Sequence, residues 1–280
     1  MTNPKSDLKL KFGNGNAKIA SSIATFSLPA GYTCPFAKEC LSKANVLTGK
    51  IIDGKHCRFR CFAASQECYR NVRQQRWHNF NLLKPIKTVE KMGNLIQSSI
   101  PRGFEKVRIH ISGDYFSEVY FLAWLNVALN NPGILFYGYT KAIPHLVKYR
   151  KVIPANFRLT ASKGGTHDYL IDEYKLKFAE VVFSVEEANE KGLQIDHDDG
   201  LAMYSEKPFA LLLHGTQPPN SPASKAWMKL INAGIGGYSD KKNRFEVASI
   251  PFKLIVKMGQ TTKFIPKRTA KVSQKTIDSR

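Results

Sequence analysis

The chain has 280 residues, 43% of them hydrophobic, and a formal net charge of +20. This length allows one large domain or two small ones, and the composition is normal for a globular protein. No stretch approaches the run of apolar residues that a membrane-spanning helix needs, so we expect no membrane partner. The charge predicts nucleic acid or another polyanion as partner, although a generally basic surface would give the same balance.

A first strand is predicted over Ser22–Leu28 and ends at Pro29. A segment follows that holds all five cysteines of the chain: Cys34, Cys40, Cys57, Cys61 and Cys68. Such crowding predicts a disulfide framework, a zinc site or an iron–sulfur cluster.

The spacing of the cysteines favours the cluster. An odd number leaves one thiol over, and the polar start of the chain leads us to expect no secretory signal, so disulfides are the weakest reading. Zinc prefers C-x2-C pairs, whereas the tightest pair here is Cys57-x3-Cys61. A 4Fe–4S cluster tolerates irregular spacing and needs up to four thiolates, which three or four of the five cysteines would supply. His56 could replace one sulfur, or lie exposed in its loop.

Beyond the cysteines, helices are predicted over 63–83 and 88–99, and strands then alternate with helices. The strands are 107–112, 134–140, 157–162, 180–185 and 209–214, and the helices are 117–130, 144–152, 168–174, 186–191 and 221–232. This alternation predicts an α/β fold with a parallel sheet. A (β/α) barrel, complete or partial and TIM-barrel-like, is favoured over a doubly wound sheet because strands such as Val107–Ser112 carry polar stripes.

Polar residues stand where several of these strands end, at what would be the barrel mouth. Asp114, Lys141 and His214 are the candidate catalytic residues, and Gly113, Asp114 and Ser162 are candidates for cofactor binding. Gly113 would permit close approach of a ligand, and the loop after Ser162 could wrap a phosphate with its N–H groups. The structural alternatives are a helix cap for Asp114, capping or surface exposure for Lys141, a plain turn after Ser162 and a core position for His214.

The remaining signals concern charge and domain limits. The run Asp196–Asp199 could bind a divalent cation or form a solvated turn. Residues 1–240 are predicted to form one barrel-like domain that includes the cysteine-rich metal segment, 34–68. Residues 241–280 carry 11 basic against 2 acidic residues and are predicted to form a basic C-terminal extension, with one more strand near Phe252–Val256.

Seven strings of this sequence resemble the bacteriophage family called gene product 88: Leu28–Pro35, Phe59–Ser65, Arg76–Trp77, Arg108–Ser117, Tyr139–Lys141, Ile195–Asp199 and Leu213–Gln217. The likeness covers roughly residues 27–238. It implies a phage or prophage origin and work in the host cytoplasm, and the family carries no assigned activity. Within the family's pattern, the positions of Cys34, Cys40 and Cys61 are firmer than those of Cys57 and Cys68.

A weaker likeness is architectural. Radical S-adenosylmethionine enzymes also place a cysteine loop after the first barrel strand, and they bind the cofactor's amino group at a glycine-acid motif ending the second strand. Ser112-Gly113-Asp114 stands where that motif would be. The C-x3-C-x2-C signature is absent, because Ala64 follows Cys61 where the third cysteine is needed.

Three functions follow as hypotheses. The first is a phage-encoded 4Fe–4S protein with an electron-transfer or redox role on a small-molecule ligand at the barrel mouth. The second is a basic nucleic-acid-binding protein whose metal, zinc or a cluster, is structural. The third is a radical S-adenosylmethionine-like enzyme.

Overall fold

A computed structural model describes residues 8–16 and 19–235 of the chain. The predicted basic extension, 241–280, and the strand expected near Phe252–Val256 lie outside these residues. Among the described residues no helix has both the length and the apolar character to cross a membrane.

The described residues form ten strands: β1 (Gly13–Asn14), β2 (Ala24–Ser27), β3 (Ser42–Ala44), β4 (Ile51–Asp53), β5 (Lys106–Ser112), β6 (Leu135–Thr140), β7 (Phe157–Ser162), β8 (Phe178–Val182), β9 (Gln194–Ile195) and β10 (Phe209–Leu212). A 3-10 helix (Ala64–Cys68) is followed by eight α-helices: α1 (Arg70–Leu83), α2 (Val89–Ser99), α3 (Glu118–Leu129), α4 (Ile143–Tyr149), α5 (Tyr169–Glu173), α6 (Val185–Glu190), α7 (Gly200–Tyr204) and α8 (Pro222–Asn232).

The main sheet has eight strands in the order β1-β2-β5-β6-β7-β8-β10-β9. All neighbours pair in parallel except β1, which is antiparallel to β2. The six strands from β2 to β10 therefore stand side by side in chain order. Their carboxyl ends share one edge of the sheet, and the cysteine segment leaves β2 at that edge.

The α/β class is confirmed, but the expectation of a complete barrel is not. No described strand pair joins the two ends of the sheet. The physical reason lies in the edge strands, because β1 occupies the outer edge of β2 and β9 occupies the outer edge of β10. The edges that would have to meet in a closed barrel are thus already hydrogen-bonded to short strands.

The two faces of the sheet bury different cores, because alternate residues of a strand point to opposite faces. On one face Phe136 packs in a large apolar cluster with Trp124 of α3 and Met92 of α2. On the other face Tyr137 packs with Phe209 and with Met203 of α7. This second core lies beside the candidate site, and its partly buried members Ile111 and Tyr139 also line the cavity described below.

The polar stripe predicted along Val107–Ser112 is interrupted. His110 has a left-handed φ of 62°, and the pairing of β2 with β5 shifts register at the same level. As a result, the His110 ring contacts Tyr120 of α3, with its Nε2 2.9 Å from the tyrosine hydroxyl. Arg108 instead extends over the ring of Tyr139. The alternation therefore does not place all the polar side chains of this strand in one row.

Candidate functional site at the carboxyl ends of the strands

A cavity of about 220 Å³ lies at the carboxyl ends of the parallel strands, enclosed by the cysteine segment. It brings together most of the residues singled out from the sequence: Cys34, Cys40, Cys61, Gly113, Asp114, Lys141, Ser162 and His214. The cysteine segment and the strand ends thus meet at one site. Residues more than 100 positions apart in the chain meet there because the strands run parallel in chain order.

Three thiols line this cavity, those of Cys34, Cys40 and Cys61, and none is in a disulfide. Burial raises the pKa of Cys34 well above its usual value, and the neighbouring Asp114, Cys61 and Cys40 raise it further. Burial raises the pKa of Cys40 to about 12, while Lys141 acts in the opposite direction. A charge on Cys61 would thus raise the pKa of both Cys34 and Cys40, and these two thiols are neutral at ordinary pH unless a cation compensates them.

Backbone N–H groups lie close to two of these sulfurs. Burial raises the pKa of Cys61, and hydrogen bonds from the backbone N–H groups of Ala64 and Ala63 oppose that rise. The N–H of Gly31 similarly lies 3.4 Å from the Cys34 sulfur. The loops therefore supply N–H donors that would stabilise thiolates in this cavity.

The other two cysteines do not line the cavity. The thiol of Cys57 donates a hydrogen bond to the carbonyl of Leu41 at 2.9 Å. Cys68 is exposed at the end of the 3-10 helix. His56 is exposed and lines a separate surface cavity with Lys38 and Lys55. The structure therefore gathers three of the five predicted ligands and leaves two outside.

A single metal ion finds no ready-made ligand set in the described part of the chain, where no group of three or more His, Cys, Asp or Glu residues could hold one. A zinc ion needs its ligands to converge within about 2.0–2.3 Å of one point. An iron–sulfur cluster is larger and takes thiolates that stand further apart.

Asp114 is buried, and its carboxylate is fully engaged. It accepts hydrogen bonds from the Thr140 hydroxyl at 2.7 Å, the Lys141 N–H at 2.7 Å and its neighbour's N–H, that of Tyr115, at 2.8 Å. Burial raises its pKa, and these hydrogen bonds act against the rise. The predicted alternative, a cap of the following helix, is not what Asp114 does, because Ser117 caps α3. Asp114 joins the end of β5 to the end of β6.

Gly113 has a φ of +86°, and a Cβ there would lie 2.5 Å from the Thr33 hydroxyl oxygen and 2.7 Å from the Cβ of Leu28. The close approach inferred from the sequence is thus made by the loop that leads to Cys34. Glycine is needed at this position for both its backbone conformation and its lack of a side chain.

Lys141 and Ser162 form one unit. The Lys141 ammonium donates to the Ser162 hydroxyl at 2.8 Å and to the carbonyls of Ser162 and Lys163. The sequence left open whether the loop after Ser162 wraps a phosphate or forms a plain turn. Its N–H groups at Gly164 and Gly165 donate to the carboxylate of Asp168, so the loop supplies its own anion, which favours the plain turn.

His214 stands at the mouth of the cavity rather than in a core. It is half-buried, and its ring centroid lies 3.6 Å from that of Phe62, the residue that follows Cys61. The other two candidate catalytic residues, Asp114 and Lys141, lie in the hydrogen-bonded groups described above, and His214 lies outside both groups.

The acidic run Asp196–Asp199, for which the sequence left open a cation site or a solvated turn, is engaged with protein groups. Arg108 donates to Asp199 at 3.0 Å, and the Tyr139 hydroxyl donates to Asp199 at 3.1 Å and to Asp196 at 3.3 Å. The guanidinium carbon of Arg108 lies 4.4 Å from the centroid of the Tyr139 ring. Both residues line the cavity, although neither was among the candidate catalytic or cofactor-binding residues.

A second unpredicted group lies behind Cys61. Glu67 accepts hydrogen bonds from Arg76 and from the N–H of Ala30, each at 2.8 Å. Arg76 also donates to the carbonyl of Ala63, at 2.8 Å. The pair thus connects the turn at Cys61 with the loop that leads to Cys34. One signal in the sequence was available, because Arg76 interrupts the apolar spacing of its helix next to Trp77.

The sequence that forms this site is similar to a known protein family. A family model described as Gene product 88 matches residues 3–229. The chain belongs to the gene product 88 family. That match spans the cysteine segment and all the strand ends that line the cavity.

Two curated members of the family are similar to the chain. The Gene 88 protein of Mycobacterium phage L5 is 30% identical over 142 residues, covering 47% of this chain and 52% of that protein. The Gene 88 protein of Mycobacterium phage D29 is 28% identical over 142 residues, covering 47% of this chain and 51% of that protein. The chain thus spans about half the length of the curated relatives it matches. No solved structure matches it significantly.

Proposed function

We propose that this protein is a phage-encoded 4Fe–4S protein that holds its cluster on Cys34, Cys40 and Cys61. Its role is electron transfer, or redox chemistry on a small molecule bound in the same cavity. The observation that carries the proposal is that three of five free cysteines, from two loops, converge on one cavity at the carboxyl ends of the strands.

The chemistry of the donors fits a cluster. Each thiol must lose its proton to bind iron, and burial together with neighbouring negative charge opposes that loss. Only a strongly cationic group would keep three thiolates together there, and cluster iron is such a group. Lys141 favours the thiolate of Cys40, and the N–H groups at Ala63 and Ala64 favour that of Cys61. When bound, a cluster of this kind accepts and releases single electrons.

The architecture supports the same proposal. Six parallel strands in chain order, with a cavity at their carboxyl ends, would fit a partial (β/α) barrel. In such folds the loops after the strands carry the chemistry, and here the first of those loops carries the thiols. Thiolate ligands also fit the reducing cytoplasm of a host cell, which we propose as the site of action.

One observation favours a second candidate, a radical S-adenosylmethionine-like enzyme. Three cysteine ligands would leave one iron of a 4Fe–4S cluster without a protein thiolate, and Gly113 lines the same cavity at the end of the second parallel strand. Because the Asp114 carboxylate is engaged within the protein, only the backbone of this motif is available for an amino group. Cleavage of S-adenosylmethionine by the reduced protein would support this candidate.

The alternative from a different class is a basic nucleic-acid-binding protein with a structural metal, and the net charge of +20 favours it. Its affinity for a short oligonucleotide should fall steeply with salt. Weak binding even at low salt would exclude this function.

The test of the proposal is the iron and acid-labile sulfide content of the full chain purified without oxygen, together with its visible spectrum. We expect about four of each per chain and a brown colour that dithionite bleaches. Zinc without sulfide would contradict the redox role and favour the structural-metal alternative.

A further inference from the structure

The hairpin β3–β4 packs against the turn that carries Cys61. On its inner face Ser42 is buried, and its hydroxyl accepts the N–H of Cys61 at 3.2 Å. Lys43 and Ile52 stand directly opposite each other in the antiparallel register, on the outer face. The hairpin therefore contacts the Cys61 turn through Ser42 and presents Lys43 and Ile52 on its other face.

The outer face exposes large apolar side chains. Leu47 at the hairpin turn is 89% exposed, Ile52 is 56% exposed, and Tyr69 before α1 is 64% exposed. Val46 and Tyr32 are exposed to a lesser degree. We call this set, together with Lys43 and Lys50, the hairpin face. Large apolar side chains left exposed in number on one segment are typical of interaction sites.

The hairpin face is held rigidly. Arg73 is buried and donates to the carbonyls of Val46 and Leu47, at 2.9 and 3.1 Å, which fastens the turn to α1. The ammonium of Lys43 lies 5.2 Å from the centroid of the Tyr32 ring, two residues before Cys34. The exposed side chains thus stand on backbone that is tied to the thiol loops.

The charge around this face is positive. Three acidic residues of the segment are each paired with an arginine: Glu39 with Arg58, Asp53 with Arg60 and Glu67 with Arg76. Within the described residues, Lys43, Lys50 and Lys55 show no ion pair. The lysines therefore present uncompensated positive charge at the rim of an apolar centre.

We propose that the hairpin face is the docking surface for an acidic electron-carrier protein that reduces the cluster; this rests on the proposed function. An apolar centre with a charged rim is the usual anatomy of a protein interface, and the rim charges steer the partner. Redox encounters use small interfaces, below about 1,200 Å². One electron passes from the reduced centre of the carrier to the cluster, and no bond forms or breaks.

Protein is favoured over nucleic acid by the aliphatic centre of the face. Single-stranded nucleic acid would stack on Tyr32 and Tyr69 and pair its phosphates with the lysines. It offers no aliphatic group to cover Leu47 and Ile52, whereas a protein partner does.

The test uses the full chain with its iron and sulfide content measured beforehand, and reduced plant-type ferredoxin as the acidic probe. Rates of cluster reduction are followed by stopped-flow absorbance without oxygen. The test variant is Lys43→Glu/Lys50→Glu. The control, Lys87→Glu/Lys91→Glu, makes the same change of charge at exposed residues beyond the far end of α1.

We expect the test variant to lower the second-order rate constant by roughly tenfold at low salt, with the difference shrinking as salt rises. The rate constant of the control variant should stay within about twofold of that of the unsubstituted chain. Dithionite should reduce the unsubstituted chain, the test variant and the control variant at the same rate. Leu47→Ser should slow ferredoxin without slowing dithionite, because this side chain is almost fully exposed and its loss does not disturb a core.

Equal ferredoxin rates for the test and control variants would overturn the docking proposal while leaving the cluster intact. Loss of oligonucleotide binding in the test variant, with ferredoxin rates unchanged, would assign the face to nucleic acid and likewise overturn it. A chain without iron and sulfide is recognised at the first step and refutes the proposed function and this inference together.

Discussion

Glu67 and Arg76 form an ion pair with 2.8 Å between Oε1 and Nη1, and the Glu67 side chain is fully buried. The second oxygen, Oε2, has no hydrogen-bond partner among the described residues. Through Ala30 and Ala63 the pair connects the loops that carry Cys34 and Cys61. The relative position of two proposed cluster ligands therefore depends on a buried charge and its partner.

We expect Arg76→Met to lower the free energy of unfolding by about 3–5 kcal/mol, because it leaves Glu67 charged and uncompensated in the interior. Urea denaturation measures this change. Arg158 supplies the control, since its pair with Glu206 is exposed and Arg158→Met should cost at most about 1 kcal/mol.

The double variant Glu67→Gln/Arg76→Met separates charge from packing. It should recover part of the loss caused by Arg76→Met, because no unpaired charge remains. If the double variant is as unstable as the single one, the ion pair does not act as described.

Gly113 and Gly103 form a natural pair for testing close packing at the site. Their φ values are +86° and +87°, yet a Cβ at Gly113 would meet Thr33 at 2.5 Å while a Cβ at Gly103 would meet nothing within 4 Å. Gly103→Ala should cost about 1–2 kcal/mol of stability from the backbone alone. Gly113→Ala should cost about 1–3 kcal/mol more, from the forced movement of the Cys34 loop. Equal costs in urea denaturation would argue against this contact.

His110 predicts a specific dependence of stability on pH. Burial lowers its pKa to about 3 from an ordinary 6.5, so the folded protein keeps this ring neutral while the unfolded chain protonates it. A depressed folded pKa gives stability that is complete above pH 6.5 and is lost as the pH falls towards 3. The slope is up to about 1.4 kcal/mol per pH unit for this one group.

The variant His110→Asn isolates this effect, because asparagine tolerates the left-handed backbone and does not titrate. The difference in unfolding free energy between the two proteins should be constant above pH 7 and shrink below it. A difference that does not change between pH 7 and pH 4 would mean that His110 is not buried as the structure has it.

The regular part of the fold followed from the sequence because its signals are local. The strand predicted over Phe157–Ser162 has those limits in the structure, and Ser221 begins its helix as a cap. The hairpin β3–β4 was missed, since its strands are three residues long and the six residues between them do not form a two-residue turn. The sequence did not reveal that the sheet stays open, because the pattern of apolar residues does not show that β1 pairs with the edge of β2.

Part of the candidate site could be predicted from the sequence for the same reason. Parallel strands in chain order bring their ends together, so the meeting of Cys34, Asp114 and Lys141 could be expected from topology. The pairing of Arg108 with Asp199 could not, because the two residues are 91 positions apart and only the folded chain brings them together. Spacing along a loop does not determine side-chain direction, so only the family resemblance pointed to Cys34, Cys40 and Cys61 as the cysteines that line the cavity.

The most direct test of the central claim is the iron content of five single Cys→Ser variants purified without oxygen. Cys34→Ser, Cys40→Ser and Cys61→Ser should each lose most of their iron and sulfide. Cys57→Ser keeps a donor towards Leu41, and Cys68→Ser changes an exposed residue, so both should keep the content of the unsubstituted chain. Iron retained in the first three variants, or lost in Cys57→Ser or Cys68→Ser, would contradict the assignment of the cluster to the cavity.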